Sequence, residues 1–225
     1  MTVAEYQSKG ATYFNAARHD LIELLPANPR AVVLEVGAGG GDTLLAAKAA
    51  GKAGELHGAD LVALPGSNQT HPDIARFSVL DVEAEELPYG PDTFDAVLTA
   101  DLLEHLRDPY LFVRSVARLL KPGGLWVASI PNFRHYTVLV PVVLRGDFRY
   151  QAAGPLDRTH LRWFCRKNVG PLFEQAGLEV VATRVNRGPY GVRQKLANYA
   201  TLTLFDDLFT FQYRTVARKP VAGGG

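Results

Sequence analysis

Four groups of residues in this 225-residue chain have types and spacings suited to chemistry. The first is Glu35-x-Gly37-x-Gly39-x-Gly41, with Ala38 and Gly40 between, a turn that carries almost no side chains. Glycine accepts positive φ and lets a ligand approach the backbone closely. The second group is two carboxylates, Asp60 and Asp81, each at the end of a short apolar run. Asp60 stands at the distance beyond a glycine loop at which a carboxylate accepts hydrogen bonds from both hydroxyls of a ribose. The third is the pair Glu104-His105, and the fourth is Asp157-x-Thr159-His160 in a stretch rich in arginine and aromatic residues. An imidazole is mostly neutral at pH 7 and serves as a general base, and a neighbouring carboxylate orients it.

These residues need elements to hold them. Ala31 to Val36 is an apolar, β-branched run of strand length, and an Ala/Leu-rich helical pattern runs from Asp42 to Ala50, closed by Gly51. The glycine turn therefore joins a strand to a helix whose first N–H groups face whatever sits over the loop, a site for a carboxylate or phosphate. Glu55–Asp60, Ala75–Leu80, Asp92–Asp101, Leu125–Ile130, Leu178–Arg184 and Thr210–Arg218 read as further strands. Helices are expected over residues 4–25, Tyr110–Leu120 (ended by Lys121-Pro-Gly-Gly124) and Asn168–Ala176, with a loop and a helix over 187–209. The alternation of strand and helix predicts a Rossmann-like α/β fold, a mostly parallel sheet with helices on both faces. In such sheets ligands bind at the carboxyl ends of the strands, which is where Glu35–Gly41, Asp60, Asp81 and His105 fall.

Composition excludes several classes. An apolar fraction of 47% with 21% charged residues is that of a globular domain. A net charge of +1 argues against general nucleic-acid binding. The single cysteine forbids an intrachain disulfide, and residues 1–14 hold no apolar leader segment, so a cytoplasmic setting is expected. The longest apolar run, Tyr136–Leu144, contains Pro141 and is too short to span a bilayer. No His/Cys/carboxylate spacing resembles a metal motif, so no metal is expected. No feature sets an oligomeric state.

The glycine loop does not follow the dinucleotide pattern G-x-G-x-x-G, because position 42 is aspartate. Glu35-x-Gly37-x-Gly39-x-Gly41 instead resembles motif I of the class I S-adenosylmethionine (SAM)-dependent methyltransferases, and three further motifs follow in order over residues 31–130. The resemblance implies one methyltransferase domain over 1–225, a seven-stranded sheet, and a last strand antiparallel between strands five and six. It implies SAM as methyl donor and S-adenosylhomocysteine as product. By the same resemblance Glu35, Gly37, Ala38, Gly39 and Gly41 hold the methionine end. Asp60 with Leu61 holds the ribose, Asp81 reads the adenine amine, Val82 supplies a backbone N–H, and Ala100 closes the site. Leu64–Asn68 departs from the pattern by replacing a helix. Each acid also reads as a plain turn residue, and His105 between Leu103 and Leu106 as a packed side chain.

Residues 133–167 are too long for a simple connection and are expected to form a cap inserted after strand five. They hold seven basic residues against Asp147 and Asp157, interleaved with six Phe, Tyr and Trp side chains. Gly154–Phe164 resembles, more loosely, a segment of bacterial methyltransferases that accompany saccharide biosynthesis. The expected acceptor is a small molecule, a sugar hydroxyl first, on a phosphate-bearing carrier. Its contacts are expected from Glu104, Asn132, Tyr136, Arg149, Tyr150, Asp157 and Arg158, with His105 or His160 as base, His105 favoured. Glu104 is expected to orient His105 or contact the cofactor, and Asp157 to orient His160. Quinone-type or other natural-product methyltransferases share the cofactor residues. A nucleic-acid methyltransferase and a non-enzymatic SAM-binding protein are the remaining readings, and a solvated basic face over an aromatic mini-core is the other reading of the cap.

Overall fold

A computed structural model describes residues 16–188 and 206–221. The strands are β1 (Val32–Val36), β2 (Glu55–Asp60), β3 (Ile74–Val79), β4 (Phe94–Ala100), β5 (Leu120–Pro131), β6 (Glu179–Asn186) and β7 (Gln212–Arg218). The helices are α1 (His19–Ile22), α2 (Asp42–Ala49), α3 (Pro109–Ala117), α4 (Tyr136–Arg145) and α5 (Arg166–Glu174). The strands form one sheet in the order β3-β2-β1-β4-β5-β7-β6. All neighbours up to β5 are parallel, and β7 runs antiparallel to both β5 and β6. This is the Rossmann-like seven-stranded sheet, and its two reversals of strand order put β1 and β4 at the centre.

The central strands are apolar on both sides because both sides are covered. Alternate residues serve opposite faces. Val33, Leu98 and Val127 pack with Leu21, Leu44 and Leu56 beneath α1 and α2. Leu34, Val97 and Trp126 pack with Phe112, Val116, Leu172 and Phe173 of α3 and α5. Trp126 is the largest fully buried side chain, wedged between Phe112 and Phe173 with its Nε1 donating to Thr99 Oγ1 at 2.9 Å.

Several boundaries differ from the sequence reading. Of the leading helix expected over residues 4–25, residues 4–15 lie outside the described residues. Within the remainder only His19–Ile22 is helical. Strand β5 begins at Leu120, five residues early, and α3 ends at Ala117. Lys121–Gly124 is a bulge inside the strand: the register jumps from Phe94↔Leu120 to Ala96↔Leu125, and Gly123 N–H donates to Lys219 C=O. The Pro-Gly signal marks that bulge rather than the end of a helix. Helix α5 starts at Arg166, because Asn168 occupies the third helical position and its Oδ1 accepts from Cys165 N–H at 2.6 Å. The loop and helix expected over 187–209 lie mostly outside the described residues, where only Arg187, Gly188 and a 3₁₀ turn at Asp206–Phe209 are seen. No helix among the described residues is long and apolar enough to cross a membrane.

Candidate active site

The carboxyl ends of β1, β2, β3 and β4 converge on one open crevice. Val36, Gly37, Asp60, Leu61, Asp81, Val82 and His105 line it, together with Leu80, Leu102 and Leu106. Six of the residues expected at the site thus share one cavity. Gly37 and Gly41 adopt φ of +76° and +89°, and a Cβ at Gly41 would lie 3.0 Å from Ile74. The turn keeps the chain close to β3, with Gly37 and Ala38 N–H donating to Ala59 C=O and Gly41 N–H to Ala38 C=O.

Asp60 ties the loop to the next turn. Its carboxylate accepts from Gly39 N–H at 2.7 Å and from Val62 N–H at 3.3 Å while remaining buried. Gln69, absent from the sequence reading, braces the same turn by donating to Gly39 C=O and Val62 C=O. Asp81 is exposed, and its carboxylate accepts from Glu83 N–H. Ala38 is buried behind the loop, and Ala100 ends β4 opposite Ser129; neither lines the crevice.

Glu35 is 2% exposed, and its Oε2 is buried with no hydrogen-bond partner. Burial pushes its carboxyl up to about 8, aided by the nearby charges of Asp60 and Asp42, while the Thr43 hydroxyl and Arg18 offset part of the rise. Such a group binds a proton in the folded chain that it lacks when unfolded. Its contribution to stability is therefore present below the ordinary carboxyl range and is lost as pH rises toward about 8. Glu35→Gln should flatten the decline in Tm between pH 5 and 8. A variant that declines as steeply as the parent would remove Glu35 as the cause. A bound ammonium would supply the missing partner.

Behind this wall lies a network that the sequence did not single out. Asp101, at φ +51°, accepts from Arg18 Nη1 at 2.5 Å, from Ser129 Oγ at 3.1 Å and from Gln212 Nε2. Arg18 also pairs with Asp20 at 2.9 Å. Burial alone would lower the Arg18 pKa, but Asp101 and Asp20 raise it further, so it stays charged. The pairing fixes the start of α1 against the end of β4.

At the β4 end the chain makes a 3₁₀ turn, Leu103–His105. Glu104, His105 and His160 are all buried, and their ligand atoms lie within 4.8 Å of one another. The expectation of no metal rests on local spacing; the fold brings together His105 and His160, which are 55 positions apart, beside Glu104. The orienting pairs are also exchanged. His105 Nδ1 meets Thr159 C=O at 3.1 Å, and Glu104 Oε1 lies 3.9 Å from His160 Nε2. Asp157 accepts from Thr159 N–H and Oγ1, so it holds Thr159 beneath His105 instead of contacting an acceptor.

The structure places the other expected acceptor contacts outside this cluster. Asn132 is fully buried, with Nδ2 donating to Asp207 C=O and Thr210 C=O and Oδ1 accepting from Arg134 N–H. Its amide is spent on joining β5 to the β7 entry. Arg149 is highly exposed and paired with Asp147, Tyr150 and Arg158 are exposed, and Tyr136 stacks with His135 and Phe209. None of these four lines the crevice.

The chain is similar to several known proteins. A family model described as "Methyltransferase domain" matches residues 8–183. The chain is 27% identical over 187 residues to the demethylmenaquinone methyltransferase of Lysinibacillus sphaericus, covering 76% of this chain and 80% of that protein. It is 37% identical over 128 residues to the ubiquinone biosynthesis O-methyltransferase of Xanthomonas campestris, 52% of this chain and 50% of that one. The chain thus spans about half the length of that relative. Among solved structures, the 1,6-didemethyltoxoflavin-N1-methyltransferase of Burkholderia thailandensis, with S-adenosylhomocysteine bound, superposes at a TM-score of 0.63 with 20% identity, covering 96% of this chain and 84% of that one. With a family model spanning most of its length and a matching fold, the chain belongs to the methyltransferase-domain family and is a SAM-dependent enzyme.

Proposed function

We propose that the enzyme methylates an oxygen of a small molecule, a phenolic hydroxyl of a quinone-type precursor being the first choice. The observation that carries this reading is the position of His105, which belongs at once to the cofactor crevice and to the Glu104–His105–His160 cluster. Bound SAM supplies a methyl carbon made electrophilic by its sulfonium. Glu35 offers its buried carboxylate to the ammonium, Asp60 offers its carboxylate to the ribose, and Asp81 offers an acceptor to the adenine amine. Leu80, Leu102 and Leu106 exclude water from the same wall. The cluster lowers the cost of removing the acceptor proton, and the fixed end of β4 aligns the oxygen.

Two relatives with quinone-pathway names support a quinone-type acceptor, and the one named an O-methyltransferase supports transfer to oxygen. The phosphate-bearing sugar is the second reading, favoured by the basic composition of residues 133–167. That reading is weakened by Arg149, which is exposed and paired with Asp147, and by Arg158, which is exposed outside the crevice. The test is incubation with methyl-deuterated SAM and three acceptor pools: catechol-type phenols, nucleotide sugars and oligonucleotides. Mass spectrometry should find the label on a phenol. Label confined to nucleotide sugars would select the second reading, and label confined to oligonucleotides would overturn both.

A further inference from the structure

We infer that Glu104, His105 and His160 form a binding site for one divalent first-row transition-metal ion, zinc being the best chemical match. Two imidazoles and one carboxylate are the ligand set of catalytic zinc sites that keep a fourth position open. Ligands at 2.0–2.1 Å in tetrahedral array stand about 3.3 Å apart. The His160 Nε2 to Glu104 Oε1 separation is 3.9 Å and no ligand pair exceeds 4.8 Å, so small side-chain rotations bring the three atoms onto one ion.

The surroundings fix which nitrogens face the centre. His105 Nδ1 lies 3.1 Å from Thr159 C=O, and His160 Nδ1 lies 3.3 Å from Pro155 C=O. A carbonyl only accepts, so a neutral ring at either contact carries its proton on Nδ1, which makes Nε2 the ligand atom; His160 Nε2 faces Glu104. An imidazole N–H donated to a backbone carbonyl is the usual outer support of a metal-bound histidine. Thr159 is itself held, its hydroxyl donating to Asp157 Oδ1 at 2.7 Å. The two ligand-bearing segments are pinned together, since Leu161 and Arg162 N–H both donate to Glu104 C=O at 2.8 and 3.0 Å. Two lone pairs and a carboxylate thus converge in a buried, preorganised site. Imidazole donors select zinc or its first-row neighbours over magnesium and calcium, which prefer oxygen.

His105 also lines the crevice, so the ion would sit on the wall where an acceptor oxygen arrives. That catalytic placement rests on the proposed methyl transfer; the binding of the ion does not. The two histidines would then act as ligands, and the metal would make the acceptor hydroxyl more acidic.

The test uses the full chain, stripped with chelator and titrated separately with zinc, cobalt(II) and magnesium chlorides. One zinc per chain is expected by elemental analysis after gel filtration, with visible ligand-field bands for cobalt and a Tm that rises with zinc. Glu104→Gln and His160→Asn should weaken zinc binding by at least about 10-fold, while Arg149→Ala leaves it unchanged. SAM titration and circular dichroism of each variant report folding independently. Parent protein that binds SAM but neither zinc nor cobalt would overturn the inference and leave a shared proton at the cluster. Zinc bound equally by parent and both variants would also overturn it, by placing the ion elsewhere. Zinc bound stoichiometrically without any SAM affinity would instead count against the methyl-transfer reading alone.

Discussion

His105→Ala is expected to lower kcat by roughly 10²–10⁴-fold, the usual worth of a positioned acid–base group, while SAM affinity stays near that of the parent. His105 is buried at the end of a central strand, lines the crevice and touches His160, with ring centroids 4.8 Å apart. The effect follows whether the imidazole receives the acceptor proton or holds an ion that acidifies it. His160→Ala should lose kcat as well, because both rings address the same carboxylate group of Glu104. The double variant should cost far less than the product of the single effects, as expected for residues that act as a unit. Steady-state kinetics with SAM titration checks both statements. Unchanged kcat in His105→Ala would mean that the acceptor needs no help, as for an amine or an already ionised phenol.

Trp126→Ala is expected to destabilise the fold by about 3–5 kcal/mol, the range for removing a buried large aromatic residue. The indole fills the space between α3 and α5 on one face of the sheet and satisfies the Thr99 hydroxyl. Its loss opens a cavity among Phe112 and Phe173 and leaves Thr99 without that donor. For a chain of this length the change corresponds to a Tm lower by about 6–20 °C. Trp126→Phe should recover much of the packing but not the hydrogen bond. Chemical denaturation followed by circular dichroism measures the difference. A cost below about 1 kcal/mol would show that the face collapses freely around the gap.

The cofactor half of the site was legible because its signals are local. A glycine turn between an apolar strand and a helix, and acids at strand ends, are adjacent in sequence and remain adjacent in space. Gly37, Asp60, Leu61, Asp81, Val82 and His105 all line one crevice. The acceptor half depends on contacts between distant segments, which no spacing reports. Glu104 stands beside both His105 and His160, and Thr159 supports His105, because two backbone hydrogen bonds from Leu161 and Arg162 set the register of the segments. Asn132 looked available beside a strand end, yet its amide is fully used between β5 and β7. Arg18, Gln69 and Asp101 escaped notice for the same reason: each partner lies elsewhere in the chain. The Pro-Gly pair at 122–123 misled because a bulge and a helix stop share the same residues.

Calorimetric titration of the chain with SAM, S-adenosylhomocysteine and NAD tests the central claim most directly, namely that this crevice is a SAM site. One SAM and one S-adenosylhomocysteine should bind per chain, with NAD much weaker. Asp60→Ala should lose about 1.5–3 kcal/mol of SAM affinity, the worth of a hydrogen bond to a charged acceptor. Undiminished affinity in Asp60→Ala would remove that carboxylate from the site, and NAD binding tighter than SAM would contradict the account as a whole.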